Sequence, residues 1–208
     1  QRAMYQALRS EARAVFAQLR HSARAGTLLP PPEGEPFDIG DLTAIEASVL
    51  SQYHHITDHR IDCDRIRIHG DLHLAQVLGR GGEVSFIDFE GEPARPLGER
   101  AIKRSGLVDV AGMMRSFDYV AHQGLLDAVH RGVGTADGLR PCAEIWESWT
   151  TGLFVSSYLR EIGTSRIIPH DPGDVRTLLD VLVLRKAVFE VRYELDRRPD
   201  WGWIPLRA

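Results

Sequence analysis

Between residues 67 and 93 the chain abandons the helical periodicity that governs most of its length. The run RIHGDLHLAQVLGRGGEVSFIDFEGEP holds β-type segments, paired glycines and a series of acids, amides and histidines. "RIRIH" alternates charged and apolar residues, "QVLGR" and "EVSFIDF" follow, and the "GRGGE" between them supplies glycines for a tight turn. This predicts two short strands joined by a hairpin, with Gln76 near the start of one and Asp88 near the end of the other. Everything around it reads as helix. Residues 2–25 place Met4, Leu8, Val15, Phe16 and Leu19 near helical spacing. The Pro-rich stretch from Leu28 to Pro36 predicts an exposed loop. A second helix is expected to start behind a cap at Asp38 or Asp41 and to fade near Thr57, with Leu42, Ile45, Val49, Leu50 and Tyr53 on one face. Three more apolar stripes follow: Leu107–Val129, Cys142–Ile162 and Asp174–Leu195. The expected fold class is mainly α with a small β hairpin (α+β).

The bulk composition narrows the function classes. A chain of 208 residues with 43% hydrophobic side chains can bury a real core. A net charge of -4, with basic and acidic residues interspersed, gives no footprint for nucleic acid. No apolar run reaches membrane-spanning length, no signal-peptide layout opens the chain, and Cys63 and Cys142 are too few for a disulfide framework. The expectation is a cytoplasmic protein with reduced thiols. The chain opens at Gln1 inside a helical pattern, which suggests a piece of a longer polypeptide.

The chemistry lies in the opening run. Phosphoryl transfer needs an acid near the attacking hydroxyl and oxygen ligands that hold Mg²⁺ against nucleotide phosphates. In protein kinases a catalytic-loop Asp is followed five positions later by an amide ligand, and a second metal-binding Asp comes after a hairpin. Asp71 is followed five positions later by Gln76, and Asp88 stands after the glycine turn. Gln offers the same carbonyl oxygen as Asn on a stem longer by one methylene. A bland reading makes either Asp a turn residue or a cap; it does not account for the ordered set. A zinc site built on His69, Asp71 and His73, with His54, His55 and His59 upstream, is the competing metal reading. Against it, the upstream histidines lie among Asp58, Arg60 and Asp62, where a solvated surface is the default. His69 is expected to hydrogen-bond the backbone and fix the loop, and His73 to face the substrate.

The blocks HGDLHLAQVL, FIDFEGEPARPLGER, KRSGLVDVAGMMRSFDYVA and KAVFEVRYELDRRPDWGWIPL resemble, in order, the C-terminal lobe of bacterial maltokinases. These kinases are relatives of the aminoglycoside phosphotransferases with a protein-kinase-like fold. Upstream, MYQALRSEARAVFAQLR resembles the helix that opens this lobe in maltokinases fused to trehalose synthase. The resemblance implies ATP-dependent phosphorylation of maltose to maltose 1-phosphate, with Mg²⁺, and a trehalose synthase domain as a possible partner. It implies Asp71 as the catalytic base, Gln76 and Asp88 as metal ligands, and His73, Lys186 and Tyr193 as sugar contacts. His69 and Glu90 would be supporting residues, the latter orienting a metal ligand or forming a salt bridge to Arg95 or Arg100.

Three departures stand out. Ala75 replaces a Gly usual in that family, and Phe189 replaces a Tyr. Residues 1–208 match only the C-terminal catalytic lobe: nothing resembles a glycine-rich nucleotide-covering loop, so the N-terminal ATP-covering lobe is expected to be absent from this chain and the isolated piece weak or inactive. Two other readings are a kinase for another sugar such as glucosamine, and a non-catalytic sugar-binding or docking module.

Overall fold

The computed structural model describes residues 1–28, 40–93 and 95–207. Most of the chain is helical, and the described residues hold a single antiparallel hairpin. The chain divides into two compact units. The first combines Gln1–Ile61, Gly124–Pro141 and Leu184–Ala208, and the second Asp62–Gln123 and Cys142–Val183.

The first unit is built on α1 (Arg2–Ala25), which buries Leu8, Ala12, Val15, Phe16 and Leu19. Those positions repeat at three- and four-residue steps, so one stripe of a regular helix suffices to form a core face. α2 (Leu42–His54) starts at Asp41, whose side chain accepts from the Thr43 N–H at 2.8 Å. Asp38, the other cap considered, falls outside the described residues, as does the Pro-rich loop beyond Leu28. Of the expected face of α2, Val49 and Tyr53 are buried while Ile45 is exposed. A 3-10 turn, His55–Thr57, follows and buries Ile56. The Gln1 amide donates to the carbonyls of Ile56 and His59, both at 2.8 Å, and so ties the end of that turn to the start of α1. Arg20 and Glu46 join α1 to α2 across 2.6 Å.

α6 runs from Pro172 to Arg197. The Asp171 side chain accepts from the N–H groups of Gly173 and Asp174, and Pro172 occupies the first helical position, where its missing N–H costs nothing. The part of α6 in the first unit buries Ala187, Val188, Phe189 and Val191. Arg185 and Gln18 connect it with α1, through Arg185–Glu11 (3.7 Å) and Gln18–Asp196 (2.7 Å). Trp203 and Ile204 of α7 (Trp203–Leu206) are buried as well.

The second unit carries the hairpin. β1 (Val77–Arg80) pairs with β2 (Glu83–Phe86) in the register Val77↔Phe86 to Arg80↔Glu83. The two turn residues, Gly81 (φ 58°) and Gly82 (φ 88°), both have positive φ, the conformation that a two-residue turn matched to the strand twist demands. The expected β character of "RIRIH" is reduced to one bridge: Ile66 exchanges both backbone hydrogen bonds with Arg104 at 2.9 Å. A strand needs a partner along its length, and residues 101–104, which follow the short helix α3 (Leu97–Arg100), supply a partner for one residue only.

α4 (Leu107–His130) matches its expected span closely. In this unit it buries Leu107, Val110, Ala111, Met113, Phe117 and Ala121. α5 (Ala136–Ile162) begins six residues earlier than the apolar pattern suggested, with Pro141 inside it. Thr135 accounts for the difference: its hydroxyl accepts from the Gly138 N–H and its carbonyl from the Leu139 N–H. A proline this close to a well-capped start removes one intrahelical bond rather than breaking a long helix. Phe117 meets Phe154 and Trp146 edge-on, at 5.5 and 6.5 Å between ring centroids. Among the described residues no helix is long and apolar enough to cross a membrane.

Candidate active site

The residues from His69 to Glu90 lie in the second unit, and α4 sets the path of the first part of that run. In the first turn of α4, Asp109 accepts the backbone N–H of His69 at Oδ2 (2.7 Å) and that of Gly70 at Oδ1 (2.9 Å). One turn on, Gly112 lies under Leu72: a Cβ at residue 112 would stand 2.5 Å from the Leu72 carbonyl oxygen. Another turn on, the Ser116 hydroxyl accepts the Leu74 N–H at 3.0 Å. Steps of three and four residues put a carboxylate, an absent side chain and a hydroxyl on one face of the helix. Asp71 sits between the two segments held in this way.

Gly112→Ala is therefore an overpacking change against backbone rather than against a movable side chain. It is expected to destabilise the protein by about 1–3 kcal/mol, measurable by urea unfolding, and to displace the loop around Asp71.

Burial pushes the Asp109 carboxyl above the ordinary carboxylate range. The two backbone N–H groups offset part of that rise, and the charge of Asp71 adds to it. A raised value in a group that accepts two backbone hydrogen bonds shows how far α4 has drawn this carboxylate out of water.

His69 is buried, and its Nε2 donates to the Ile87 carbonyl at 2.7 Å, while its ring lies 4.8 Å from that of Phe89. The ring thus bridges the loop before the hairpin and the segment after it. Its Nδ1 is buried and has no hydrogen-bond partner among the described residues. This agrees with the expected backbone contact and adds its partner.

Gln76 closes a 3-10 turn, Leu74–Gln76, through its N–H to the His73 carbonyl at 2.9 Å, and its own carbonyl accepts from Ile87 at 3.1 Å. Its side-chain Nε2 donates to Asp88 Oδ2 at 3.0 Å and stands 3.5 Å from His73 Nε2. The amide and the second Asp, twelve residues apart in sequence, are thus side by side. Asp88 has φ 65°, and among the described residues it is the one non-glycine residue with positive φ. That conformation is uncommon outside glycine, and strain of this kind concentrates at functional sites. Here it stands at the point where the chain leaves β2.

The donor chemistry suits a hard cation. Among the described residues no group of three or more His, Cys, Asp and Glu comes together that could hold a metal. Mg²⁺ rarely uses such a cage; it takes one or two carboxylates and fills its remaining positions with water and substrate phosphates. Asp88 offers such a carboxylate; the Gln76 amide turns its Nε2 toward it, so its carbonyl oxygen would serve a cation only with the amide reversed. His54 and His55, invoked in the zinc reading, form hydrogen-bonded pairs with Asp58 in the first unit.

Glu90 is exposed, and the salt bridge weighed as the alternative to an orienting role is not formed: Arg95 faces Glu99 at 3.7 Å, and Arg100 donates to the carbonyls of Arg95 and Pro93. Backbone acceptors inside the turn satisfy the guanidinium without an ordered acid. Lys186 and Tyr193 lie on α6 in the first unit. The Lys186 ammonium is 5.2 Å from the centroid of the Phe189 ring, which is buried and stacks on Tyr193 at 6.5 Å. Tyr193 is 36% exposed, with the guanidiniums of Arg197 and Arg198 at 5.3 and 5.9 Å from its ring. Phe189 is thus a core residue, and Tyr193 keeps a solvent-facing edge.

No protein-family profile matches the chain. Two curated relatives are glucosamine kinases. One, from Streptacidiphilus jiangxiensis, is 30% identical over 140 residues, covering 67% of this chain and 30% of the relative. The other, from Mycolicibacterium smegmatis (strain ATCC 700084 / mc(2)155), is 30% identical over 143 residues, 67% of this chain and 32% of the relative. Among solved structures, a glucosamine kinase (crystal form A) superposes with a TM-score of 0.72 at 23% identity, over 99% of this chain and 44% of that one. A glucosamine kinase in complex with glucosamine, ADP and inorganic phosphate gives 0.70 at 22% identity, over 99% and 45%. The chain shares the fold of part of a glucosamine kinase. It spans about a third of the length of these curated relatives. The expected kinase-like α+β class agrees with this; the relatives are described as glucosamine kinases rather than maltokinases.

The sequence pattern points to Asp71, Gln76 and Asp88, of which the structure brings Gln76 and Asp88 into contact, and it does not single out Asp109, Gly112 and Ser116. Their signal was present: a carboxylate, a glycine and a hydroxyl at helical spacing within the stripe "DVAGMMRS". Within that stripe the three blend into an ordinary apolar helix pattern.

Proposed function

We propose that residues 69–90 form the catalytic half of an ATP-dependent sugar kinase whose acceptor is glucosamine or a close amino sugar. The observation that carries the reading is the Gln76–Asp88 contact at 3.0 Å, five residues downstream of an Asp on a loop anchored to α4. The similarity to glucosamine kinases supports the sugar. Residues 1–208 then make up the C-terminal lobe, and the exposed apolar side chains on one face of the hairpin, Val84 and Phe86, suit a surface that a nucleotide and an ATP-covering lobe would overlie.

In this reading Asp71 orients the acceptor hydroxyl and takes its proton as the oxygen attacks the γ-phosphorus. The bond from that phosphorus to the ADP oxygen breaks, and the phosphoryl group passes to the sugar. Gln76 and Asp88 would hold Mg²⁺, which would neutralise charge on the phosphates. His69 fixes the loop through Ile87, and Glu90 is left as an exposed acid near the metal-binding segment. Of the sugar contacts that the resemblance implies, His73 lies in the second unit and donates to a sugar oxygen; Lys186 and Tyr193 belong to the first unit, where the lysine offers a donor and the tyrosine a ring face and a hydroxyl.

Maltose, with maltose 1-phosphate as product, is the second reading and rests on the sequence blocks quoted above. A trehalose synthase partner follows from maltose alone and stands or falls with it. The test is to incubate the gene product that carries these 208 residues with ATP, Mg²⁺ and a panel including glucosamine, glucose and maltose, following ADP release and product mass. Glucosamine phosphate is expected. Phosphorylated maltose without phosphorylated glucosamine would reverse the order of the two sugars. Sugar binding with no transfer to any acceptor would favour the docking module.

A further inference from the structure

The α4 face treats the catalytic loop in two separate ways. Asp109 and Gly112 act on residues 69–72, upstream of or beside Asp71. Ser116 acts later, on Leu74, which opens the 3-10 turn that delivers Gln76. The residue before that turn, His73, has extended backbone (φ -153°, ψ 169°), and its side chain provides no cap. A one-turn 3-10 helix has almost no internal hydrogen bonding to hold it, so an acceptor from another element decides where its first N–H points. From Leu74 the connection is short: the turn closes at Gln76 N–H to His73 O, Gln76 O receives Ile87 N–H, and Gln76 Nε2 reaches Asp88.

Resting on the kinase reading above, we propose that Ser116 is a positioning residue: its hydroxyl caps the Leu74–Gln76 turn from outside and thereby sets the distance between Gln76 and Asp88. The serine touches neither sugar nor nucleotide. Its effect reaches the site through one backbone N–H, and small misplacements of a ligand set are costly when catalysis rests on positioning. Loss of groups that orient metal ligands commonly costs about 10–100-fold in metal affinity or activity. A hydroxyl acting through one weak neutral hydrogen bond belongs at the low end, about 10-fold.

The test compares Ser116→Ala, Ser116→Thr and Ser156→Ala in the same gene product. Ser156 is exposed on α5 and bonds the Leu153 carbonyl of its own helix, so it controls for loss of a hydroxyl elsewhere. Three quantities are read: exchange of the Leu74 amide by NMR, broadening of the Gln76 side-chain amide signals by Mn²⁺ alone, and the Mg²⁺ concentration at half-maximal turnover. Ser116→Ala is expected to speed Leu74 exchange about 10-fold, to weaken the Mn²⁺ broadening, and to raise the Mg²⁺ requirement about 10-fold with little change in sugar KM. Threonine should restore all three, and Ser156→Ala should leave them unchanged. Wild-type Leu74 exchange in Ser116→Ala would overturn the proposal. So would an unaltered Gln76 response to Mn²⁺, or a loss that tracks a fall in Tm and is not rescued by threonine. If the wild type transfers no phosphate, the kinase reading fails, while Leu74 exchange and the Gln76 response still decide the role of Ser116.

Discussion

Asp71→Asn is expected to lower the turnover of ATP-dependent sugar phosphorylation by about 10²–10⁴-fold, the usual contribution of a positioned general base. Asparagine keeps the size and much of the hydrogen-bonding shape of the side chain while removing its ability to accept a proton. Asp71 itself lies between two anchored stretches, with the Gly70 N–H on Asp109 and the Leu72 carbonyl over Gly112. The loop is therefore expected to keep its path in the variant, and Tm to stay near that of the wild type. Steady-state kinetics with glucosamine check the claim, with the fall in kcat rather than in sugar KM. A variant retaining more than a third of wild-type kcat would remove Asp71 from the chemistry.

Asp109→Ala is expected to damage both fold and activity. The substitution strips two backbone N–H groups, of His69 and Gly70, of their acceptor. Each unsatisfied donor costs about 1–3 kcal/mol when buried, so a loss of about 2–6 kcal/mol is expected from urea unfolding. Because the same bonds aim Asp71, kcat should fall even at temperatures where the variant remains folded. The pH dependence gives a second check. Burial raises the folded-state pKa of Asp109 above its ordinary 3.8, so the folded state holds the proton more tightly than the unfolded one. The resulting contribution is fully present below pH 3.8 and is lost as pH rises through the folded value. Wild-type stability relative to Asp109→Ala should therefore decline as pH rises through that window. A difference that grows with pH would mean that the carboxylate is stabilised, not strained, by its surroundings.

Several features could be read from the chain because they depend on near neighbours. The α1 core face follows from its three- and four-residue spacing, and the hairpin turn from two glycines that can take positive φ. The last helix is expected from Asp174 and begins two residues earlier, at Pro172, behind the Asp171 cap. The five-residue step from Asp71 to Gln76, with Asp88 beyond a glycine turn, likewise needed no tertiary information. Where local patterns misled, a longer-range partner or an overlooked cap was responsible. "RIRIH" alternates like a strand, yet only Ile66 finds a partner, at Arg104. The apolar stripe begins at Cys142, yet Thr135 starts the helix six residues before it, at Ala136. For Glu90, of the two readings left open, the salt bridge falls away because Arg100 binds carbonyls within its own turn.

By itself the sequence determined the helical character, the hairpin and the ordered acids and amide of residues 69–90, since period, turn chemistry and spacing are properties of short stretches. Only the tertiary structure decided how those groups are held. Asp109, Gly112 and Ser116 lie about 40 residues from the backbone they anchor, and a hydrogen bond across such a gap leaves no periodic mark in either segment. It exists because α4 packs against the loop, and packing is settled by the whole unit.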